Sequence, residues 1–117
     1  MLIAIAVAGS CSKVDVSKSI AGTTWTASSN DDDWKLDVTI QFSTETYTVT
    51  TNSDIPDGNG KREKDVTTNH GTYVYDSPTV VLYTSSGYLI YGTVNGNTMS
   101  LKQSPGWASG PTQYKLK

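Results

Sequence analysis

Among 117 residues the chain has one cysteine, one histidine and one phenylalanine, and only four prolines. A single cysteine excludes an internal disulfide and every multi-cysteine metal or redox motif. The single histidine, His70, stands beside a turn glycine and reads as a solvated loop residue. That leaves no credible Ser/His/Asp arrangement. Basic charge is not in surplus either: nine Lys and Arg stand against eleven Asp and Glu, a net charge of −2. Nucleic acid calls for a basic face, so no nucleic-acid partner is expected. Nor is there a polybasic stripe for an anionic membrane surface. The apolar run Leu2 to Gly9 has eight residues, where a helix needs about 20 to cross a bilayer. What is plentiful is Thr, Ser, Gly, Tyr and Asn, with Val and Ile close behind. β-Branched and aromatic residues suit pleated sheets, and Gly, Asn and Ser suit turns. The length allows one domain, and the expectation is all-β.

The run LIAIAVAG matches the apolar region of a signal peptide, followed by small residues. Ala8-Gly9-Ser10-Cys11 resembles a bacterial lipobox. That resemblance implies a diacylglycerol on the Cys11 sulfur, cleavage before Cys11 and acylation of the new amine. Two or three acyl chains hold a protein firmly, because each buried CH₂ contributes roughly 0.8 kcal/mol. The alternative for the same residues is a buried N-terminal strand with an inert thiol. On the first reading, residues 1–10 are a lipoprotein signal peptide, 11–19 a polar tether and 20–117 the folded domain.

Eight strands are expected in that domain: 23–28, 34–42, 46–51, 71–75, 79–83, 88–94, 98–103 and 112–117. In WKLDVTIQF, residues Trp34, Leu36, Val38, Ile40 and Phe42 alternate with Lys35, Asp37, Thr39 and Gln41. Such alternation means one buried face and one wet face. Residues 52–64 are polar and contain Pro56 and Asp57-Gly58-Asn59-Gly60, so they read as a long loop, with strand pattern resuming by Gly71 or as early as Val66. Asn95-Gly96 signals a two-residue hairpin turn. It would set Val94 opposite Asn97, Gly92 opposite Met99 and Ile90 opposite Leu101. Nearly all connections are of hairpin length, which predicts an eight-stranded antiparallel up-and-down barrel. A β-sandwich is the alternative.

Gly22-Thr23-Thr24-Trp25 resembles the glycine-to-tryptophan opening of lipocalin-like barrels. Together with the lipobox, Gly71-Thr72-Tyr73 and Gly92-Thr93-Val94, it resembles small lipocalin-like lipoproteins of Gram-negative gut anaerobes. The resemblance implies a barrel and a cell-envelope place at the outer membrane. It implies no ligand and no catalytic residue.

The remaining constellations point away from chemistry. Asp31-Asp32-Asp33 and Asp54-x-x-Asp57-Gly-Asn59 invite a calcium reading, but neither has alternating oxygen ligands, and both read better as solvated turns. No metal and no cofactor are expected, and no enzyme. Trp25 reads as a plug in the barrel floor and Trp34 as core. Trp107, among Gly and Pro, reads as a cap over an open end or a flat ring for a ligand. The segments GTYVY, TVVLY and YLIYG are apolar on both faces. With four-residue connections, Tyr73, Tyr75, Val80, Leu82, Leu89 and Tyr91 share one face, and Val74, Val81, Tyr83, Tyr88 and Ile90 the other. A barrel buries one face only, so an exposed patch is expected, unless the connections differ in length and mix the faces.

Two functions remain. The first is a non-catalytic, lipid-anchored module binding a small apolar or amphipathic molecule, with Tyr47, Tyr73, Tyr75 and Trp107 at its wall or mouth. The second is a structural or protein-interaction barrel, or an inhibitor, with a filled interior. Inward side-chain volume decides between them, since ligand pockets begin at about 300 Å³.

Overall fold

A computed structural model describes residues 16, 18–31, 34–105 and 110–117. Among them there are eight strands and no helix: β1 (Thr24–Asp31), β2 (Trp34–Phe42), β3 (Thr46–Pro56), β4 (Arg62–Asp76), β5 (Thr79–Thr84), β6 (Leu89–Asn95), β7 (Thr98–Leu101) and β8 (Gln113–Leu116). Each strand pairs antiparallel with the next, and β8 returns to β1 through Trp25↔Leu116 and Thr26↔Lys115. The chain is a closed eight-stranded up-and-down barrel, as the pattern of short strands and turns predicts.

Two ends follow from this topology. The β2–β3, β4–β5 and β6–β7 turns lie at one end, the floor, where the chain also enters the barrel. The β3–β4, β5–β6 and β7–β8 connections lie at the other end, the mouth. Ile20 and Trp25 are fully buried near the floor. The Trp25 indole N–H donates to Thr23 Oγ1 at 2.8 Å, and that hydroxyl donates to the Ile20 carbonyl at 2.5 Å. The backbone of Gly22 and Thr23 joins Phe42 through two further bonds of 2.8 and 2.9 Å. The GTTW opening thus acts as a stopper, with its polar groups satisfied among themselves.

The inward row of β2 is buried at Val38, Ile40 and Phe42. Facing them are Val49, Val80, Leu82, Ile90, Val94, Met99, Leu101 and Tyr114, all buried. Side chains of this size contribute about 1.5–3 kcal/mol each on full burial, so this layer carries the fold. Phe42 anchors an aromatic corner, its ring 4.8 Å from Tyr73 at 74° and 6.4 Å from Tyr47.

Four sequence expectations need correction. Trp34 is not core but 50% exposed, because β2 begins above the barrel rim and its alternation starts before the strand enters the barrel. Residues 52–64 are not mainly a loop: β3 runs to Pro56 and β4 begins at Arg62, leaving only 57–61 as the turn. Residues 62–70 pair with β3 alone and are exposed throughout, so no apolar alternation marks them. The β6–β7 hairpin turns at Gly96-Asn97, one residue late, with Val94↔Met99 and Gly92↔Leu101. Finally, β6 faces the other way. The β5–β6 connection has three residues between Thr84 and Tyr88, bonded N–H to carbonyl at 2.9 Å, and Leu82 pairs with Ile90. Ile90 therefore joins Leu82 inside, and Leu89 and Tyr91 turn outward.

Upper β1 to β4 stand above the rim as a four-stranded wall, which contributes to the 55 × 32 × 20 Å extents. Its hairpin tip is tied by Arg62 Nε to Asp54 Oδ1 at 2.7 Å. Asp57 Oδ1 accepts from the N–H groups of Asn59 and Lys61 at 2.7 and 3.2 Å. The free edge of β4 is blunted by its own neighbour: Asp65 Oδ1 accepts the Val66 N–H at 3.0 Å.

Candidate functional site

At the mouth lies a half-open pocket of about 260 Å³. Asn69 and His70 of β4 form one side, and Thr84, Ser85, Ser86 and Tyr88 of the β5–β6 connection another. Gln103, Ser104 and Pro105, following β7, form the third, and Tyr47 and Ile90 line it as well. Tyr47 reaches this place because Gly71 lets it. A Cβ on Gly71 would stand 2.9 Å from both Cε1 and the hydroxyl of Tyr47, so the ring lies flat on a strand that has no side chain there.

Burial pushes the Tyr47 phenol above its ordinary pKa, and the Tyr73 phenol likewise. Tyr114 is pushed up to about 12 by burial, partly offset by a hydrogen bond with Ser104. Its hydroxyl donates to the Pro111 carbonyl at 3.0 Å. These phenols are therefore neutral donors at neutral pH. Hydroxyls, amides and one imidazole around a small apolar floor suit a small polar molecule held by hydrogen bonds. No carboxylate is among the lining residues.

Of the three described residues expected at a wall or mouth, Tyr47 lines this pocket. Tyr73 and Tyr75 do face inward, but toward the floor, because β4 runs from mouth to floor. Tyr73 donates to the Ser43 carbonyl at 2.6 Å, and Tyr75 donates to the Val16 carbonyl. Trp107 and Cys11 lie outside the described residues, as do Asp32 and Asp33. The sequence reads His70 and Ser104 as loop residues; Ser104 does lie outside the strands, but His70 is part of β4. They become neighbours only through the register that places Gly71 beside Thr84.

The acids of the second calcium reading are engaged within the hairpin. A hydrogen bond from Arg62 holds the Asp54 carboxyl below the usual aspartate range; desolvation opposes it, and the charges of Arg62, Lys64 and Lys35 add to the lowering. Among the described residues no three His, Cys, Asp or Glu side chains converge as a metal site would need.

A second feature is the outer face of β4, β5 and β6. Val74, Val81 and Tyr91 follow one another across the three strands, and Tyr83 and Leu89 stand side by side in the next row. Val74, Tyr83, Leu89 and Tyr91 are exposed, and Val81 is half-buried. The expected patch exists, with Leu89 and Tyr91 in it in place of Tyr88 and Ile90, which line the mouth pocket instead.

No protein-family model matches this chain, and no curated protein and no solved structure shows significant similarity to it.

Proposed function

We propose that this chain is a lipid-anchored, non-catalytic protein of the bacterial cell envelope whose barrel works through its surface. One observation carries the second half of that reading: the interior is occupied by the chain's own side chains. Trp25, Ile40, Leu82, Met99 and Tyr114 are all fully buried inside it. A filled barrel is a rigid scaffold, suited to a structural, interaction or inhibitory role rather than to carrying an apolar molecule. The lipobox-like Ala8-Gly9-Ser10-Cys11 supports the anchor. A narrower ligand-binding role is favoured by the mouth pocket of about 260 Å³, lined by Tyr47, His70 and Ser104 among others. Its size and polarity suit a small polar molecule.

The anchor is tested by fractionation. Wild type should remain in the envelope membrane and carry acyl mass, and Cys11→Ser should be released; equal retention of both removes the anchor. The filled interior is tested by titration with an apolar fluorescent probe. Wild type should take up none, whereas Leu82→Ala, which opens a cavity, should admit a small aromatic such as benzene. Stoichiometric uptake by wild type would return the protein to the carrier class.

A further inference from the structure

The charges of this chain are divided between its two halves. All eleven acids lie at or before Asp76, and from Ser77 to Lys117 there is none. That acid-free stretch forms β5 to β8 and carries Lys102, Lys115 and Lys117. The exposed apolar face lies on the same side. Tyr91 accepts a backbone hydrogen bond from Lys102 at 2.8 Å, so this lysine borders the patch directly. Lys115 and Lys117 are exposed further round the barrel. Asp76, at the floor end of β4, is the acid of the rim. A face of Tyr, Leu and Val bordered by Lys matches the boundary between headgroups and acyl chains, where phenols sit half wet and lysines meet phosphate.

We infer that the outer wall of β4 to β6 lies against a lipid bilayer. This rests on the anchored reading above, and the path of the chain fits it. Tyr75 binds the Val16 carbonyl, which holds the incoming chain beside β4, and the next residue, Val74, points out into the patch. Cys11 is five residues upstream of Val16 and so reaches at most roughly 18 Å from it. A lipid on Cys11 therefore sits in the same membrane surface that the wall touches. The acids of β1 to β3 and of the protruding β3–β4 hairpin are left facing away from that surface, with Asp76 the one acid at the edge of the wall.

The test uses the full chain carrying Cys11→Ser, prepared without lipid, and sedimentation with vesicles. One set is phosphatidylcholine alone; the other is an equal mixture with phosphatidylglycerol. The chain should partition onto both, more strongly onto the mixture. Leu89→Ser with Tyr91→Ser should lower partition about tenfold on both sets. Lys102→Gln, which leaves the apolar wall intact, should lower it about fivefold on the mixture only. The apolar leader is present in every variant, so differences between variants belong to the wall. Circular dichroism and melting confirm that each variant is folded. Partition unchanged by both sets of substitutions overturns the inference. So does sedimentation showing a dimer that the Leu89 and Tyr91 changes dissolve, since a second copy then covers the wall. If wild type is lipidated but the Cys11→Ser chain ignores vesicles, the anchor stands and the docking falls. If wild type carries no lipid but the Cys11→Ser chain binds through this wall, the reverse holds.

Discussion

Gly92 offers a sharp test of the register inside the barrel. It is buried between Val80 of β5 and Leu101 of β7, in a sheet row that also contains Tyr75. A Cβ at this position would lie 2.5 Å from Leu101 Cδ2, 2.7 Å from the Ser100 carbonyl oxygen and 3.3 Å from Val80 Cγ1. Carbon–carbon contacts relax near 3.5–4.0 Å, so Leu101 would have to retreat by about 1 Å from a position where it is itself buried. The Ser100 oxygen belongs to a paired strand and gives way less easily. Overpacking of this kind costs about 1–3 kcal/mol, and a backbone contact puts Gly92→Ala at the upper end. For a domain of this size that lowers the melting temperature by roughly 12 °C, at about 4 °C per kcal/mol. Leu101→Ala removes the side-chain clash but not the carbonyl clash. The double variant should therefore lose about 1–2 kcal/mol less than the sum of the single losses. Urea denaturation of the four proteins measures this. A Gly92→Ala loss below about 0.5 kcal/mol, or strict additivity, would refute the pairing of Gly92 with Leu101.

The two described tryptophans should behave oppositely. Trp25→Phe removes the donor to Thr23 Oγ1 together with buried volume, and should cost about 2 kcal/mol in denaturant. Trp34→Phe should change stability by less than about 0.5 kcal/mol while removing the emission that acrylamide quenches most readily. At high pH the buried phenols set the limit. A proton is held more tightly by Tyr114, Tyr47 and Tyr73 in the folded chain than in the unfolded chain. Their stabilising contribution is complete below the ordinary phenol pKa of about 10 and is lost as the pH rises through their raised values, about 12 for Tyr114. Spectrophotometric titration should show a phenol, Tyr114, that ionises only as the pH approaches about 12. Tyr114→Phe should flatten the decline in stability across that range, and an unchanged slope would mean that Tyr114 is wet.

Where the chain has a core, the sequence was readable. β2 emerges with its expected bounds because its alternation meets a real interior at Val38, Ile40 and Phe42. The same alternation misled at Trp34, since periodicity says which way a side chain points but not where the barrel ends. The start of β4 was blurred, put at Val66 at the earliest rather than Arg62, because a strand with water on both sides has no apolar period to show. The facing of β6 depended on one residue of connection length between Thr84 and Tyr88, which flips every side chain that follows. The late turn at Gly96-Asn97 reflects packing: it sets Leu101 over Gly92, the one inward position of that strand with room for it. Tyr47 was identifiable as an inward aromatic. Its pocket was not, since His70 and Ser104 meet it only once β4 is in register and the β5–β6 and β7–β8 connections close over the mouth.

A closed barrel filled by its own side chains, as proposed above, leaves no room inside for an apolar cargo. Native mass spectrometry of the protein extracted from its own envelope tests this most directly. A mass equal to the chain from Cys11 onward plus its acyl groups, with no further component, is the outcome predicted here. A stoichiometric apolar molecule that leaves only on unfolding would contradict it.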